Sequence, residues 1–166
     1  DGADHLIRWL RDCRPSRFIF TSSSSVYGQT DGAEVDEETP AEGAGETGRI
    51  LAETERRYLE SPAGLSKVTV LRIAGIYGPE RGYLFQKFLN GEATITGDPN
   101  RWLNQVHRDD VVGTILAVLN TSAPPDLLNV ADCEPVRQID FYRWLGARLE
   151  KPLPPAAPIP ATRKRA

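Results

Sequence analysis

Two runs of apolar, β-prone residues, Phe18 to Phe20 and Val68 to Ile73, flank a single helical pattern from Glu46 to Glu60. This arrangement restricts the fold more than any other feature of the chain. Neither run alternates with polar residues, so neither suits a sheet with one face in water; both suit strands covered on both faces. Strand, helix and strand in this order imply a parallel sheet joined by a right-handed crossover. The expected class is therefore α/β.

The remaining elements are read in the same way. His5 to Leu10 has apolar residues at helical spacing and stops before Pro15. Within the helix from Glu46 to Glu60, Ile50, Leu51, Tyr58 and Leu59 are the expected inward residues, and Pro62 and Gly64 close it. A helix near Leu84 to Leu89, a turn around Gly97 to Asn100, and a helix opened by Asp109 or Asp110 follow. "LLNVAD" then reads as a short strand and Gln138 to Leu149 as a final amphipathic helix. One domain is expected over residues 1–152, with a smaller subregion at about 80–126. From Lys151 the sequence "KPLPPAAPIPATRKRA" is proline-rich and ends basic, which favours an extended, poorly ordered tail over 153–166.

Composition narrows the function classes. The 166 residues are 40% hydrophobic and 26% charged with a net charge of −3, ordinary for a soluble globular domain and without a broad positive field. Nucleic acid and anionic membrane surfaces therefore lack electrostatic support as partners. No apolar run is long enough to span a bilayer, and the N-terminal stretch is amphipathic and charged rather than signal-like, so the expected compartment is the cytoplasm. Cys13 and Cys133 lie far apart, outside any C-x-x-C pair, which speaks against a disulfide framework or a zinc site.

The stretch "GAGETG", Gly43 to Gly48, has the G-x-G-x-x-G spacing of a dinucleotide-binding loop and runs into a helix. Such a loop must leave the end of a strand, so that backbone N–H groups at the helix N-terminus meet the pyrophosphate. What precedes it, "DGAEVDEETPAE", is acidic, turn-rich and without a strand pattern. The spacing is read as coincidental. The next strand likewise offers Arg72 where a ribose-binding carboxylate would be sought.

Three ordered motifs, "FIFTSSSSVYG" (Phe18 to Gly28), "LRIAGIYGP" (Leu71 to Pro79) and "VHRDDVV" (Val106 to Val112), resemble those of the extended short-chain dehydrogenase/reductases, the NAD(P)-dependent epimerase/dehydratase family. The resemblance extends to about Pro152. It implies the later portion of a Rossmann-type doubly wound parallel sheet with a small mixed substrate-side region, and NAD or NADP as cofactor. The first half of the sheet and its glycine-rich loop are absent, so the chain is expected to be an internal piece of a longer protein, fragile in isolation.

In this family a Ser, a Tyr and a Lys one turn later carry the chemistry. The Tyr exchanges the proton, the Lys tunes it and holds the nicotinamide ribose, and the Ser orients the substrate oxygen. The resemblance implies Ser23 for the Ser, although "TSSSS" also reads as a plain polar strand exit. The Tyr and Lys positions fall on Thr47 and Leu51, while Gly48 and Glu55 of the flanking pattern are retained. An aliphatic hydroxyl cannot replace a tunable phenol, so family-type hydride transfer is in question. Tyr27 is the nearest phenol, but its position after the Ser motif is structural. A Tyr-x-x-x-Lys does occur at Tyr83 to Lys87, but it lies on the substrate side and reads as ordinary helix chemistry rather than catalysis.

The resemblance implies cofactor contacts from Thr21, Ser22, Ile73, Ala74, Gly75 and Ile76, with "AGIYGP" alternatively a simple turn out of the sheet. Tyr77, Arg81, Arg101 and His107 are the implied substrate-side residues; a guanidinium fork at Arg81 or Arg101 suits a diphosphate. Asp109 and Asp110 are expected to cap a helix, with His107 just before the cap, and no metal site is expected. Two functions are open. One is an epimerase, dehydratase or reductase acting on a nucleotide sugar or related alcohol or carbonyl. The other is a redox-silent NAD(P)-binding regulatory or scaffold protein. A homodimer is compatible with either.

Overall fold

The structure is a computed structural model that describes residues 2–60 and 67–157. In chain order the elements are α1 (Gly2–Cys13), β1 (Arg17–Ser23), α2 (Glu46–Leu59), β2 (Lys67–Ile73), β3 (Gly75–Tyr77), α3 (Tyr83–Leu89), β4 (Ile95–Thr96), β5 (Trp102–Leu103), β6 (Gln105–His107), α4 (Arg108–Asn120), β7 (Leu127–Val130), β8 (Val136–Arg137), α5 (Gln138–Leu149) and β9 (Ala156–Ala157). A single 3₁₀ turn, Ser24–Val26, follows β1.

The two apolar runs become neighbouring parallel strands. β1 pairs with β2 from Arg17↔Lys67 to Ser23↔Ile73, and β2 pairs in parallel with β7 from Val70↔Leu127 to Ile73↔Val130. Residues in register on such strands point to the same face. The odd-numbered members Leu71 and Ile73 join Val111 and Val118 of α4 and Val130 of β7 in the main core. The even-numbered Phe18 and Phe20 meet Tyr58 of α2 edge-on, with ring centroids 5.1 and 4.9 Å apart. The sheet is thus covered by α2 on one face and α4 on the other, the doubly wound α/β arrangement.

Of the four residues expected to face inward on α2, Tyr58 is buried and Leu51 half-buried, but Ile50 is 60% exposed and Leu59 39%. The buried face of α2 runs through Gly48, Glu55 and Tyr58 instead. A polar residue and a glycine hold it, so hydrophobicity pointed the wrong way.

A second cluster, Phe88, Ala93, Ile95, Tyr142 and Leu145, joins α3, β4 and α5. The smaller region is therefore not the contiguous 80–126 segment: α4 packs on the main sheet, and α5, later in the chain, packs with α3. The proline-rich end also departs from a free tail. Lys151 Nζ donates to the Leu89 carbonyl (2.6 Å), and β9 pairs in parallel with β4. Residues 158–166, with the "RKR" motif, and the 61–66 segment with Pro62 and Gly64 lie outside the described residues.

Candidate functional site

At the carboxyl ends of β1 and β2 the chain leaves the sheet twice, through Ser24 and through Ala74. Open α/β sheets hold ligands at this edge. A cleft of about 730 Å³ lies there, between the main sheet and the smaller region. Its floor is Thr21 to Ser24 and Ile73 to Ile76; its other walls are Arg81, Tyr83 and Leu84 on one side and Trp102 to Gln105 on the other.

The strand geometry explains how these residues meet. Ser22 and Ser23 end β1 beside Arg72 and Ile73 of β2. The Ser23 side chain turns back on the chain: its Oγ accepts from the Ser25 backbone N–H (3.2 Å) and caps the 3₁₀ turn. Its own proton remains available to a ligand in the cleft. Ser22 is buried, and its Oγ has no hydrogen-bond partner among the described residues. A buried hydroxyl left unpaired at a cleft wall is costly unless something polar meets it.

Behind Ser22 lies a buried polar layer. Ser22, Arg72 and Asn129 are in register across β1, β2 and β7. Arg72 donates through Nε (3.0 Å) and Nη2 (2.8 Å) to Glu55 Oε2 of α2, with both side chains almost fully buried. Its third guanidinium nitrogen, Nη1, donates to the Tyr27 hydroxyl at 2.9 Å. That hydroxyl lies 2.8 Å from the Asp36 carbonyl and 2.7 Å from the Asn129 amide oxygen, with one proton to share between them. Burial pulls Arg72 down, but the hydrogen bonds it donates to Glu55 and Tyr27 prevail and hold it above its ordinary value. The arginine that lacked a sequence rationale is the hub that ties α2, the sheet and the acidic loop together. The expected structural role of Tyr27 matches these contacts.

The glycines of "GAGETG" have a steric role. Gly43 sits at φ 70°, and a Cβ on Gly48 would come within 2.2 Å of the Ser25 carbonyl oxygen. These glycines let α2 dock against the turn after β1; they leave no strand end and line no part of the cleft. Thr47 is exposed and Leu51 half-buried on the same helix, and neither lines the cleft.

The expected site residues divide into two groups. Thr21, Ser22, Ser23, Ile73, Ala74, Gly75, Ile76 and Arg81 converge on the cleft. Tyr77, Arg101 and His107 do not line it. Arg101 Nε donates to Gln138 Oε1 (3.2 Å), and Tyr77 packs edge-on against His107, 5.3 Å between centroids. His107 also corrects the capping assignment: it is itself the N-cap of α4, its Nδ1 accepting from the Asp109 N–H (3.2 Å), while Asp109 and Asp110 occupy the first turn. Trp102, Asn104, Gln105 and Tyr83 are cleft residues that sequence reasoning did not single out for the site. Trp102 is marked only by its stacking partner Arg137, whose guanidinium lies 4.0 Å from the ring centroid, a contact that no local pattern announces.

The cleft fits a dinucleotide's nicotinamide end on three observations. Gly75 forms an exposed part of the floor with no side chain of its own, so its backbone is open to a ligand. Ser22 offers an unpaired buried hydroxyl. No carboxylate lines the cleft among the described residues, and Arg81 does. Among those residues no group of three or more His, Cys, Asp or Glu could hold a metal ion, and no helix is long and apolar enough to cross a membrane.

Comparison with known proteins points the same way. A model of the NAD dependent epimerase/dehydratase family matches residues 1–131. Protein YeeZ of Escherichia coli (strain K12) is 38% identical over 137 residues, 82% of this chain and 47% of that protein. A conserved protein of unknown function from Silicibacter pomeroyi DSS superposes with a TM-score of 0.78 at 30% identity, over 98% of this chain and 56% of that one. UDP-glucuronic acid 4-epimerase from Bacillus cereus, solved in complex with NAD, shares the fold with a TM-score of 0.79 at 22% identity, over 94% of this chain and 54% of that one. The chain spans about half the length of these relatives. With the family match covering most of its length and a relative 38% identical over 82% of it, the chain belongs to the NAD-dependent epimerase/dehydratase family.

Proposed function

We propose that this chain forms the substrate-side and nicotinamide-side walls of an NAD(P)-dependent epimerase, dehydratase or reductase. Its substrate is an alcohol or carbonyl compound of the nucleotide-sugar class. The observation that carries this reading is the convergence of Ser22, Ser23 and the Ile73 to Ile76 loop, from two neighbouring strands, on one cleft at the carboxyl edge of the sheet. Ser23, with a hydroxyl proton free to donate, orients the substrate oxygen; Ala74 to Ile76 flank the nicotinamide through their backbone; Arg81 meets the diphosphate. The substrate class follows relatives of the same fold, one of which is solved with UDP-glucuronic acid and NAD.

A second reading is a redox-silent protein that binds NAD(P) and changes its partner contacts with cofactor state. Exposed Thr47 and half-buried Leu51, at the positions of the family Tyr and Lys, favour it. The first test is a fluorescence titration of NADH and NADPH into the protein in its full natural length. Saturable binding of one of them is expected, and binding of neither would reject both readings. Thr47→Tyr with Leu51→Lys is the next test: gain of nicotinamide turnover supports an enzyme altered at α2, and no gain argues that the pocket was remodelled away from chemistry on α2.

A further inference from the structure

The cleft has to be asked which of its groups can exchange a proton with a ligand. Hydroxyls of Ser and Thr, and the amides of Asn104 and Gln105, do not ionise near neutrality, and Arg81 keeps its charge throughout. No His, Asp or Glu lines the cleft among the described residues. That leaves one side chain, Tyr83.

Tyr83 opens α3 and is 70% exposed, within reach of a ligand in the cleft. Lys87 stands four residues later, on the same helical face. Its ammonium lies 4.6 Å from the centre of the Tyr83 ring. A hydrogen bond to the Tyr83 oxygen, with its electrostatic attraction, holds Lys87 above the ordinary lysine value. Other charged or titratable groups around the pair are Arg81 just before the helix, Glu92 after it, and Tyr142 of α5 together with Arg101. A phenol with a cation against its ring is the combination absent from α2.

We infer that Tyr83, supported by Lys87, is the group that exchanges a proton with the bound ligand's oxygen, supplying from α3 what Thr47 and Leu51 do not supply from α2. The inference rests on the enzyme reading above. In the alcohol-to-carbonyl direction the ligand's hydroxyl proton passes to the Tyr83 phenolate oxygen, and in the reverse direction the phenol returns it. A bound nicotinamide dinucleotide would supply the redox half, taking or giving the hydride. Tyr83 is the catalytic residue of the pair, and Lys87 positions and polarises it.

The test reads binding rather than turnover, because a phenolate in this cleft attracts the cationic ring of NAD⁺ and not the neutral ring of NADH. The affinities of both, measured by calorimetric titration between pH 7 and 10.5 on the protein in its full natural length, separate the two forms. NAD⁺ affinity is expected to rise about five-fold across this range, as a charge pair several ångströms apart in a partly wet site would give, while NADH affinity stays level. Tyr83→Phe is expected to abolish the rise and Lys87→Gln to alter it, each with a wild-type melting curve. A rise that persists in Tyr83→Phe, or a level NAD⁺ profile in a wild-type protein that binds NADH, overturns the assignment and leaves the cofactor reading standing. Binding of neither nucleotide removes the cofactor reading and this inference with it.

Discussion

Arg72 and Glu55 show how much a single pair of side chains decides in this molecule. Two guanidinium nitrogens meet one carboxylate oxygen, the third meets Tyr27, and the whole pair is out of water. Removing one partner leaves the other as an uncompensated buried charge. Glu55→Ala is therefore expected to destabilise the protein by about 3–5 kcal/mol, read as a lowered midpoint in urea. Replacing both, as Glu55→Leu with Arg72→Met, is expected to recover most of that loss, since the charge then disappears with its partner. An equal loss in single and double variants would show that the pair's value lies in its contact with Tyr27. At this scale the sequence was partly readable: the motif around Ser23 marked the strand exit, but nothing local tied Arg72 to a glutamate seventeen residues earlier.

At the scale of elements, α2 is the instructive case. Its boundaries followed from periodicity and from the glycine-rich entry, and the helix at Glu46–Leu59 matches that reading within a residue. Its orientation did not follow. Ile50 and Leu59 point to solvent, because the face of α2 that docks is fixed by Gly48 against the Ser25 carbonyl and by Glu55 reaching Arg72. Alanine in place of glycine inside a helix ordinarily stabilises by up to about 1 kcal/mol. Here the added Cβ meets a backbone oxygen that cannot step aside, so Gly48→Ala is expected to cost about 1–3 kcal/mol instead. Thermal unfolding of Gly48→Ala beside a Gly45→Ala control separates the two effects, since a Cβ at Gly45 meets nothing within 4 Å. Equal melting temperatures would contradict the docking role.

For the whole molecule, the sheet is the frame on which both regions depend. Among the described residues β1 pairs only with β2, and Trp9, Ile50, Val112, Leu116 and Leu119 are exposed. Strand edges and apolar surface of this kind invite pairing between copies. These 166 residues alone are expected to self-associate in light scattering, and a monodisperse monomer that melts cooperatively would contradict this. What the sequence by itself determined was local and periodic: the three strands of the main sheet, the helix spans, and the order of three motifs that carry the family resemblance. Those properties depend on neighbouring residues and on repeats of two or 3.6, which a chain displays before it folds. Only the tertiary structure decided which helix face is buried, that α5 rather than α4 completes the smaller region, that His107 caps its own helix, and that Tyr83 shares a cleft with Ser23. Each of these rests on contacts between residues distant in the chain, made when the sheet brings separate strand ends to one edge, and no local pattern encodes that juxtaposition.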